Sequence, residues 1–568
     1  MTFALAVLIG LVAGAEPADA MPDAGVEPEP PAPPPAVSPL PVATLPEPAP
    51  PEAPARIQLS EALLSSYHLD NGNISPRGSA VYDPTSNNYF DWLNKLQLDA
   101  SWGDFIAQVR VDSALFLNAP VAAASDLKFV ELLKNRYGSR VDFEKVFLTW
   151  SSRHLDVTLG DTYATYGRGL VLSLRKVDEF GIDTTVRGVS ATGRVAGLTV
   201  NVLGGWSNIV NVDPATGRTA ENPNDTILGA RADYRFGKWV APGFDVSHVI
   251  NAQNSQLGMQ TSRDHVTSFS GTLEFPHLGS FGTLYAEYAA QRRVTNGSVL
   301  WSSALYASGS AYLGPLTLLL EYKDYQNYSA IPTSLDPTQG PELALSDFYT
   351  AAPTLERVQQ LVLNNTDIAG GHVRASLKLR PNVVPFVSMA GFVDRIYQTQ
   401  IYDPYAGAEI HWNDGASRAS VSGGYRLNQY AAGAAVPGKE FQAVWHAELD
   451  VTQHLKGPYS LELSGLHLSH RDVLFGSDGY LSWLEGQVYL SFKAAGVWSV
   501  AIGTEYYTKA PKSIRANYFN VGGSWQILKN LLVRLFVGGQ RAGIKCVNGV
   551  CRNYPGFDGA RIEVVAKY

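Results

Sequence analysis

Residues 561–568 read Arg561-Ile562-Glu563-Val564-Val565-Ala566-Lys567-Tyr568 and alternate between polar and apolar side chains. Successive side chains of a β-strand point to opposite faces, so Ile562, Val564, Ala566 and Tyr568 share one face. This pattern predicts a strand with one face in an apolar medium.

The same period of two recurs from about residue 57 onward, and charged side chains fall on a single face in mid-strand. Alternation alone does not separate a membrane barrel from a soluble β-sandwich. In a barrel, the charged face would line the pore. The residues predicted to line it from strands are Arg110, Asp112, Arg231, Asp233, Arg235, Glu287, Glu321, Lys323, Arg374, Lys378, Glu448, Asp450 and Arg534.

The lengths of the links between strands favour the membrane barrel. Short links such as 152–153, 196–197 and 314–315 alternate with links that are mostly longer, such as 162–184 and 327–370. Up-and-down membrane barrels have short periplasmic turns and long outer loops. We therefore predict an all-β fold, a transmembrane up-and-down antiparallel β-barrel of about 24 strands, within a range of 22–26.

The first 56 residues differ from the rest. An apolar run at 3–14 followed by small residues predicts a signal peptide over 1–20, although no Lys or Arg precedes the run. Residues 22–54 hold 14 prolines, which predicts an acidic, disordered periplasmic tail over 21–56. The barrel is then predicted over 57–568.

Charge disfavours a nucleic-acid-binding function. Residues 1–55 hold seven acidic residues and no Lys or Arg, so the remainder is nearly neutral, with 45 acidic and 44 basic residues. A protein that binds a polyanion should be clearly basic.

An exported barrel with these features is expected in a bacterial outer membrane, with both termini in the periplasm. Its predicted partners are the lipid bilayer and the outer-membrane insertion machinery, for which the aromatic Tyr568 on the lipid face would be the signal. The proline-rich tail is either a plain spacer or a binding site for a periplasmic partner. An open sheet in lipid would leave backbone groups unpaired, so the last strand should pair with the first.

Two cysteines, Cys546 and Cys551, stand in Cys-Val-Asn-Gly-Val-Cys. In an exported chain this spacing predicts one small disulfide loop. A metal site is the weaker interpretation because no His or further Cys flanks the pair.

Three segments resemble an uncharacterised family of bacterial outer-membrane β-barrels. The first is Gly160–Leu172, which continues to Gly181-Ile182-Asp183 and Arg187-Gly188. The second is Pro353–Arg357, and the third is Gly538–Arg541 followed by Cys546 to Arg552. The resemblance implies the barrel fold and no particular activity.

Catalytic and cofactor motifs are not recognisable. We find no Gly-x-Ser-x-Gly elbow, no His-Glu-x-x-His motif and no phosphate-binding glycine loop. We therefore predict a protein that is not an enzyme and has neither a metal site nor a cofactor.

Two loops are the predicted functional elements. Arg168, in loop 162–184, and Arg357, in loop 327–370, would point into the lumen and constrict it. Alternatively, Gly167 and Gly169 only permit a tight turn. Residues 355–363 have the pattern of a short helix.

Two functions remain open. The first is a channel or transport protein for hydrophilic solutes or a polymer, favoured by a wide lumen with inward charges. The alternative is a plugged barrel that anchors a surface or envelope-spanning assembly, for which the proline-rich tail would reach a partner.

Overall fold

The computed structural model describes most of the chain from residue 55 onward. The described ranges are 55–69, 88–118, 137–177, 182–210, 224–251, 265–295, 297–328, 330–331, 349–350, 367–396, 398–430, 440–473, 479–509, 516–541, 543–547, 550–554 and 556–568. The predicted signal peptide and proline-rich tail, Arg357 and the predicted helix at 355–363 lie outside these ranges.

All regular elements in the described ranges are strands. They are β1 Arg56–His68, β2 Tyr89–Trp102, β3 Phe105–Leu117, β4 Arg140–Ser151, β5 Leu155–Thr162, β6 Ala164–Tyr166, β7 Leu172–Leu174, β8 Lys176–Val177, β9 Ile182–Val195, β10 Leu198–Ile209, β11 Thr226–Tyr234, β12 Ala241–Ile250, β13 His265–Phe275, β14 Gly282–Thr295, β15 Ser298–Leu313, β16 Leu316–Gln326, β17 Ile368–Leu377, β18 Val383–Asp394, β19 Thr399–Trp412, β20 Ser417–Tyr430, β21 Glu440–His454, β22 Tyr459–Val473, β23 Tyr480–Ala494, β24 Trp498–Tyr507, β25 Asn517–Leu528, β26 Leu531–Gln540, β27 Gly543–Val547, β28 Val550–Tyr554 and β29 Phe557–Lys567. Within the ranges described, no helix has the length and apolar character needed to cross a membrane.

The strands form a closed antiparallel barrel of 24 strands, which confirms the predicted fold class and count. Closure comes from β29, which pairs with β26 on one side and with β1 on the other. Tyr568 completes the seam through two backbone hydrogen bonds with Leu59, of 2.7 and 3.1 Å. The hairpins β6–β7 and β27–β28 stand apart from the wall, and the two-residue β8 lies against β9.

The two ends of the barrel differ. At one end, the short-turn end, neighbouring strands are joined by links such as 103–104, 196–197 and 314–315. The opposite end, the long-loop end, carries links as long as 327–367, with short exceptions at 296–297 and 395–398. The predicted alternation of short and long links therefore holds in most of the barrel. The short links at 296–297 and 395–398 are the exceptions.

The outer face of the wall is apolar. Trp445, Trp525 and Leu535 point outward and are exposed. Ile562, Val564 and Ala566 lie on the same outward face of β29, which follows from their pairing with β1 and β26. A band of exposed apolar side chains around a closed barrel is the surface that a lipid bilayer covers.

Candidate functional site

The chain leaves the wall after β5 and forms a β-hairpin of residues 164–174, here called the luminal hairpin. Ala164–Tyr166 pairs with Leu172–Leu174, and the turn between them is closed by a bond from Gly169 N to Tyr166 O of 2.9 Å. Gly167 and Gly169 have φ values of +57° and +95°, which favour glycine. The predicted tight turn is therefore present.

The hairpin lies inside the barrel. Its side chains belong to one buried cluster with residues of β9 through β19, among them Val186, Val249 and Ile401. Eleven hairpin residues can approach so many strands of a closed wall only from its concave side. The faces that contact the hairpin are therefore luminal.

Apolar burial holds the hairpin in place. Leu170, Val171, Leu172 and Leu174 are each 2% exposed or less. Burying an aliphatic side chain of this size contributes about 1.5–3 kcal/mol relative to exposure, an upper estimate. The hairpin thus packs as part of the folded core.

Hydrogen bonds fix the hairpin on the wall. Glu287 on β14 accepts bonds from Arg168 N (2.9 Å) and from the Tyr285 hydroxyl (2.7 Å). The Ser247 hydroxyl on β12 donates to Val171 O at 2.9 Å.

Tyr166 and Asn201 make a further contact, because the Tyr166 hydroxyl donates to Asn201 Oδ1 at 2.8 Å. Burial raises the pKa of the Tyr166 hydroxyl above its usual range. The hydroxyl therefore stays neutral and remains a donor at physiological pH.

Arg168 lies at the tip of the turn. Its side chain is exposed in the lumen, with the guanidinium 4.6 Å from the centre of the Tyr285 ring. A cation over an aromatic ring is held by the ring quadrupole. The backbone N–H of Arg168 therefore donates to Glu287, while its guanidinium faces the barrel interior.

Parts of the longest link cover the hairpin at the long-loop end. The Tyr328 hydroxyl donates to Leu170 O at 2.9 Å, and Ser173 N donates to Tyr349 O at 2.7 Å. The Tyr349 hydroxyl reaches Asp225 Oδ2 at 2.7 Å. The two loops singled out in the sequence therefore meet, a contact that neither segment's own sequence pattern predicts.

Several residues predicted to line the pore lie on luminal faces but are buried. Arg110, Glu287, Glu321 and Lys323 are between 0 and 6% exposed. Buried side chains of this kind pack against their neighbours. We therefore assign these four residues a structural role in the barrel interior. Arg110 forms ion pairs with Asp112 and Asp183.

Other predicted residues remain accessible. Arg374 forms an ion pair with Glu409 at 2.9 Å, and Arg534 forms one with Glu563 at 2.9 Å. Asp450 is exposed, and its neighbour on the same face, Glu448, is partly exposed.

Four more predicted residues sit beside the hairpin or beyond the strands. Arg231 pairs with Asp233 at 2.6 Å and donates to Thr165 O at 3.2 Å. Arg235 and Lys378 are exposed just after β11 and β17, at the short-turn end.

The cysteines lie opposite each other in the hairpin β27–β28, with Cys546 paired to Cys551 in the backbone register. Their side chains are outside the described part of the structure, so the disulfide stays a prediction. The described residues contain no group of three or more His, Cys, Asp or Glu able to hold a metal ion.

Solved structures with a similar fold are large barrels. The siderophore receptor PirA from Pseudomonas aeruginosa is 10% identical, with 90% of this chain and 80% of that chain covered and a TM-score of 0.44. The P pilus usher (PapC) translocation pore is 9% identical, with coverages of 90% and 99% and a TM-score of 0.38. The alcaligin outer membrane receptor FauA from Bordetella pertussis is 8% identical, with coverages of 90% and 76% and a TM-score of 0.41. Similarity at this level says nothing about what this chain binds or transports.

Sequence comparison gives a family. No curated protein matches the chain. A family model described as a family of unknown function (DUF6029) matches residues 71–365 and 439–568, which include all three segments that carry the resemblance. The chain therefore belongs to the family of unknown function DUF6029.

Proposed function

We propose that the protein is a channel of the bacterial outer membrane that passes hydrophilic solutes and is narrowed by the luminal hairpin. Its short turns would face the periplasm and its long loops the outside, as is usual for such barrels. A channel needs no catalytic group, and the proposed role is not enzymatic.

The observation that carries the proposal is the one-sided position of the hairpin. Its buried cluster involves β9 through β19. Beyond it, near the short-turn end of β21 through β23, the luminal faces carry charged side chains that stay accessible, such as Asp450, Glu462 and Lys493. Accessible charges inside a barrel favour a water-filled passage beside the hairpin.

The pairing of these charges bears on selectivity. Lys493 binds Glu462 at 2.6 Å and Arg534 binds Glu563 at 2.9 Å, so positive and negative groups alternate along this side. Paired charges produce little net field across a passage. We therefore expect weak selectivity between anions and cations.

Solute uptake tests the proposal. Liposomes containing the folded protein are moved into isotonic solutions of uncharged sugars of increasing size, and swelling is followed by light scattering. The account expects swelling with small sugars and a loss of swelling above a defined size. Liposomes that carry folded barrel and swell no faster than protein-free liposomes would count against a passage.

A plugged barrel that serves as an anchor is the second candidate. The contacts of Tyr328 and Tyr349 with the hairpin favour it, because they tie an external loop to the interior. In that case the proline-rich tail would bind a periplasmic partner. Crosslinking of cells that express the chain with and without residues 22–54 tests this, since an anchor should lose a defined crosslinked partner with the tail.

A further inference from the structure

Among the strands that the structure describes, the pairing of the wall is interrupted between β4 and β9. β3 pairs with β4 from Arg140 onward, but β5 pairs with β4 only over Phe147–Ser151. β5 ends at Thr162, where the chain turns into the lumen. Residues 140–146 of β4 therefore have no strand partner on that side within the described ranges.

The interruption falls within the membrane. A tilted strand needs about 9–11 residues to cross a bilayer. The β4–β5 ladder stops five residues after it starts at the short-turn end. The remaining gap thus spans the half of the wall toward the long-loop end.

Polar side chains take the place of a strand along this edge. Val146 N donates to Asp161 Oδ2 at 2.8 Å. Glu144 O accepts from Arg187 at 2.8 Å and from Asn208 at 2.6 Å. These bonds matter because an unpaired backbone group in lipid is costly.

Three buried charges bridge the gap, and we call them the latch: Arg110, Lys145 and Asp183. Asp183 on β9 binds Lys145 at 2.9 Å and Arg110 at 2.8 Å across the gap. All three side chains are 7% exposed or less. These side-chain ion pairs can break without the loss of any backbone hydrogen bond between strands.

The two sides of the gap differ in chemistry. Val141, Phe143 and Trp206 point outward and are highly exposed, as a lipid-facing mouth requires. On the other side, a small cavity is lined by apolar Leu93, Ala114 and Val210 together with charged Asp112, Arg140 and Glu144. This cavity is small while the latch is closed, so entry of a molecule with a charged head and one acyl chain requires the latch to open. The apolar side chains would then contact the acyl chain and the charged side chains the head group.

We propose that the gap between β4 and β9 is a lateral opening through which a single-chain amphiphile passes between the lumen and the membrane, with the latch holding it shut. The proposal does not rest on conduction along the barrel axis. It would hold in a plugged barrel as well.

Photolabelling tests the opening. The full barrel is placed in liposomes with a long-chain fatty acid that carries a diazirine at the tail end, irradiated, and digested for peptide mapping. Adducts at Phe143 show that the fatty acid contacts the membrane-facing side of the gap. Adducts at Leu93 or Val210 show that it has passed through the gap into the cavity. We expect a severalfold rise at Leu93 and Val210 in Lys145→Ala/Asp183→Ala over wild type.

The matched control breaks a luminal ion pair where the ladder is continuous. Arg534 and Glu563 are direct partners on β26 and β29. Arg534→Ala/Glu563→Ala should therefore label as wild type. Asp183→Asn, which keeps the side-chain size, replaces the double variant if that variant fails to fold.

Labelling at Phe143 without a rise at Leu93 or Val210 in the latch variants would overturn the proposal. An equal rise in the Arg534/Glu563 control would overturn it as well, because entry would then not depend on the gap.

Discussion

Gly167 gives the most direct test of hairpin placement at the residue scale. Its φ is +57°, and a Cβ there would overlap the Glu287 carboxylate. We predict that Gly167→Ala displaces the hairpin and lowers the temperature at which the folded barrel unfolds, read from heat-modifiable gel migration.

Gly237 is the matched control. Its φ is +58° and its Cβ would meet no atom within 4 Å. Gly237→Ala carries the same left-handed backbone cost of about 1–2 kcal/mol without the clash. Equal effects of the two substitutions would show that the Glu287 contact does not position the hairpin.

Glu287 is the second residue-scale test. Glu287→Ala removes the acceptor of Arg168 N and the Tyr285 hydroxyl. Leaving a buried donor unsatisfied costs about 1–3 kcal/mol. We predict a lower unfolding temperature and noisier single-channel current, because the hairpin tip is released.

Glu409→Ala serves as its control, since the pair of Glu409 with Arg374 is partly exposed. Exposed ion pairs contribute about 0–1 kcal/mol. If the Glu287→Ala and Glu409→Ala barrels have the same unfolding temperature and the same current noise, Glu287 does not hold the hairpin tip in place.

Sequence periodicity predicted the face of these residues but not their surroundings. Alternation places Glu287 and Lys323 on the luminal face, where the structure has them. Alternation is a local property, so it carries no information on what covers a face. The pattern therefore suggested a water-filled pore at Glu287 and Lys323, whereas both side chains are buried in the structure.

At the scale of elements, the luminal hairpin was predictable only in part. Gly167 and Gly169 mark its turn. Its position depends on partners far away in sequence, as the bond from Tyr328 to Leu170 illustrates, and on Glu287. Short-range pattern cannot specify such contacts.

The hairpin β27–β28 carries the element-scale prediction. Cys546 lies opposite Cys551, and directly opposed residues of an antiparallel pair are close enough for a disulfide. We predict that alkylation of the unfolded, unreduced protein labels neither thiol and that reduction exposes both. Two thiols labelled without reduction would refute the disulfide.

The chain contains no other cysteine, so Cys546→Ser provides the control. Its remaining thiol at Cys551 should react without reduction. This shows that the reagent reaches the loop.

At the scale of the whole molecule, strand number and closure were predictable because each strand repeats the same simple pattern. The backbone must be fully paired in lipid, which forces β29 onto β1. The interruption beside β4 was not predicted: the alternation of residues 140–146 slips at Glu144-Lys145, which marks the register shift between β3 and β4 but does not reveal a missing partner on the other side. It arises where β5 ends early and the chain turns inward.

The central claim is a water-filled passage narrowed by the luminal hairpin. Single-channel conductance in planar bilayers tests it most directly, comparing the wild type with a barrel whose residues 164–174 are replaced by a short Gly-Ser linker. Both proteins are first shown to be folded by heat-modifiable migration. We predict steady steps for the wild type and larger steps for the variant. A folded wild-type barrel that passes no current, or a variant with unchanged steps, would contradict the account.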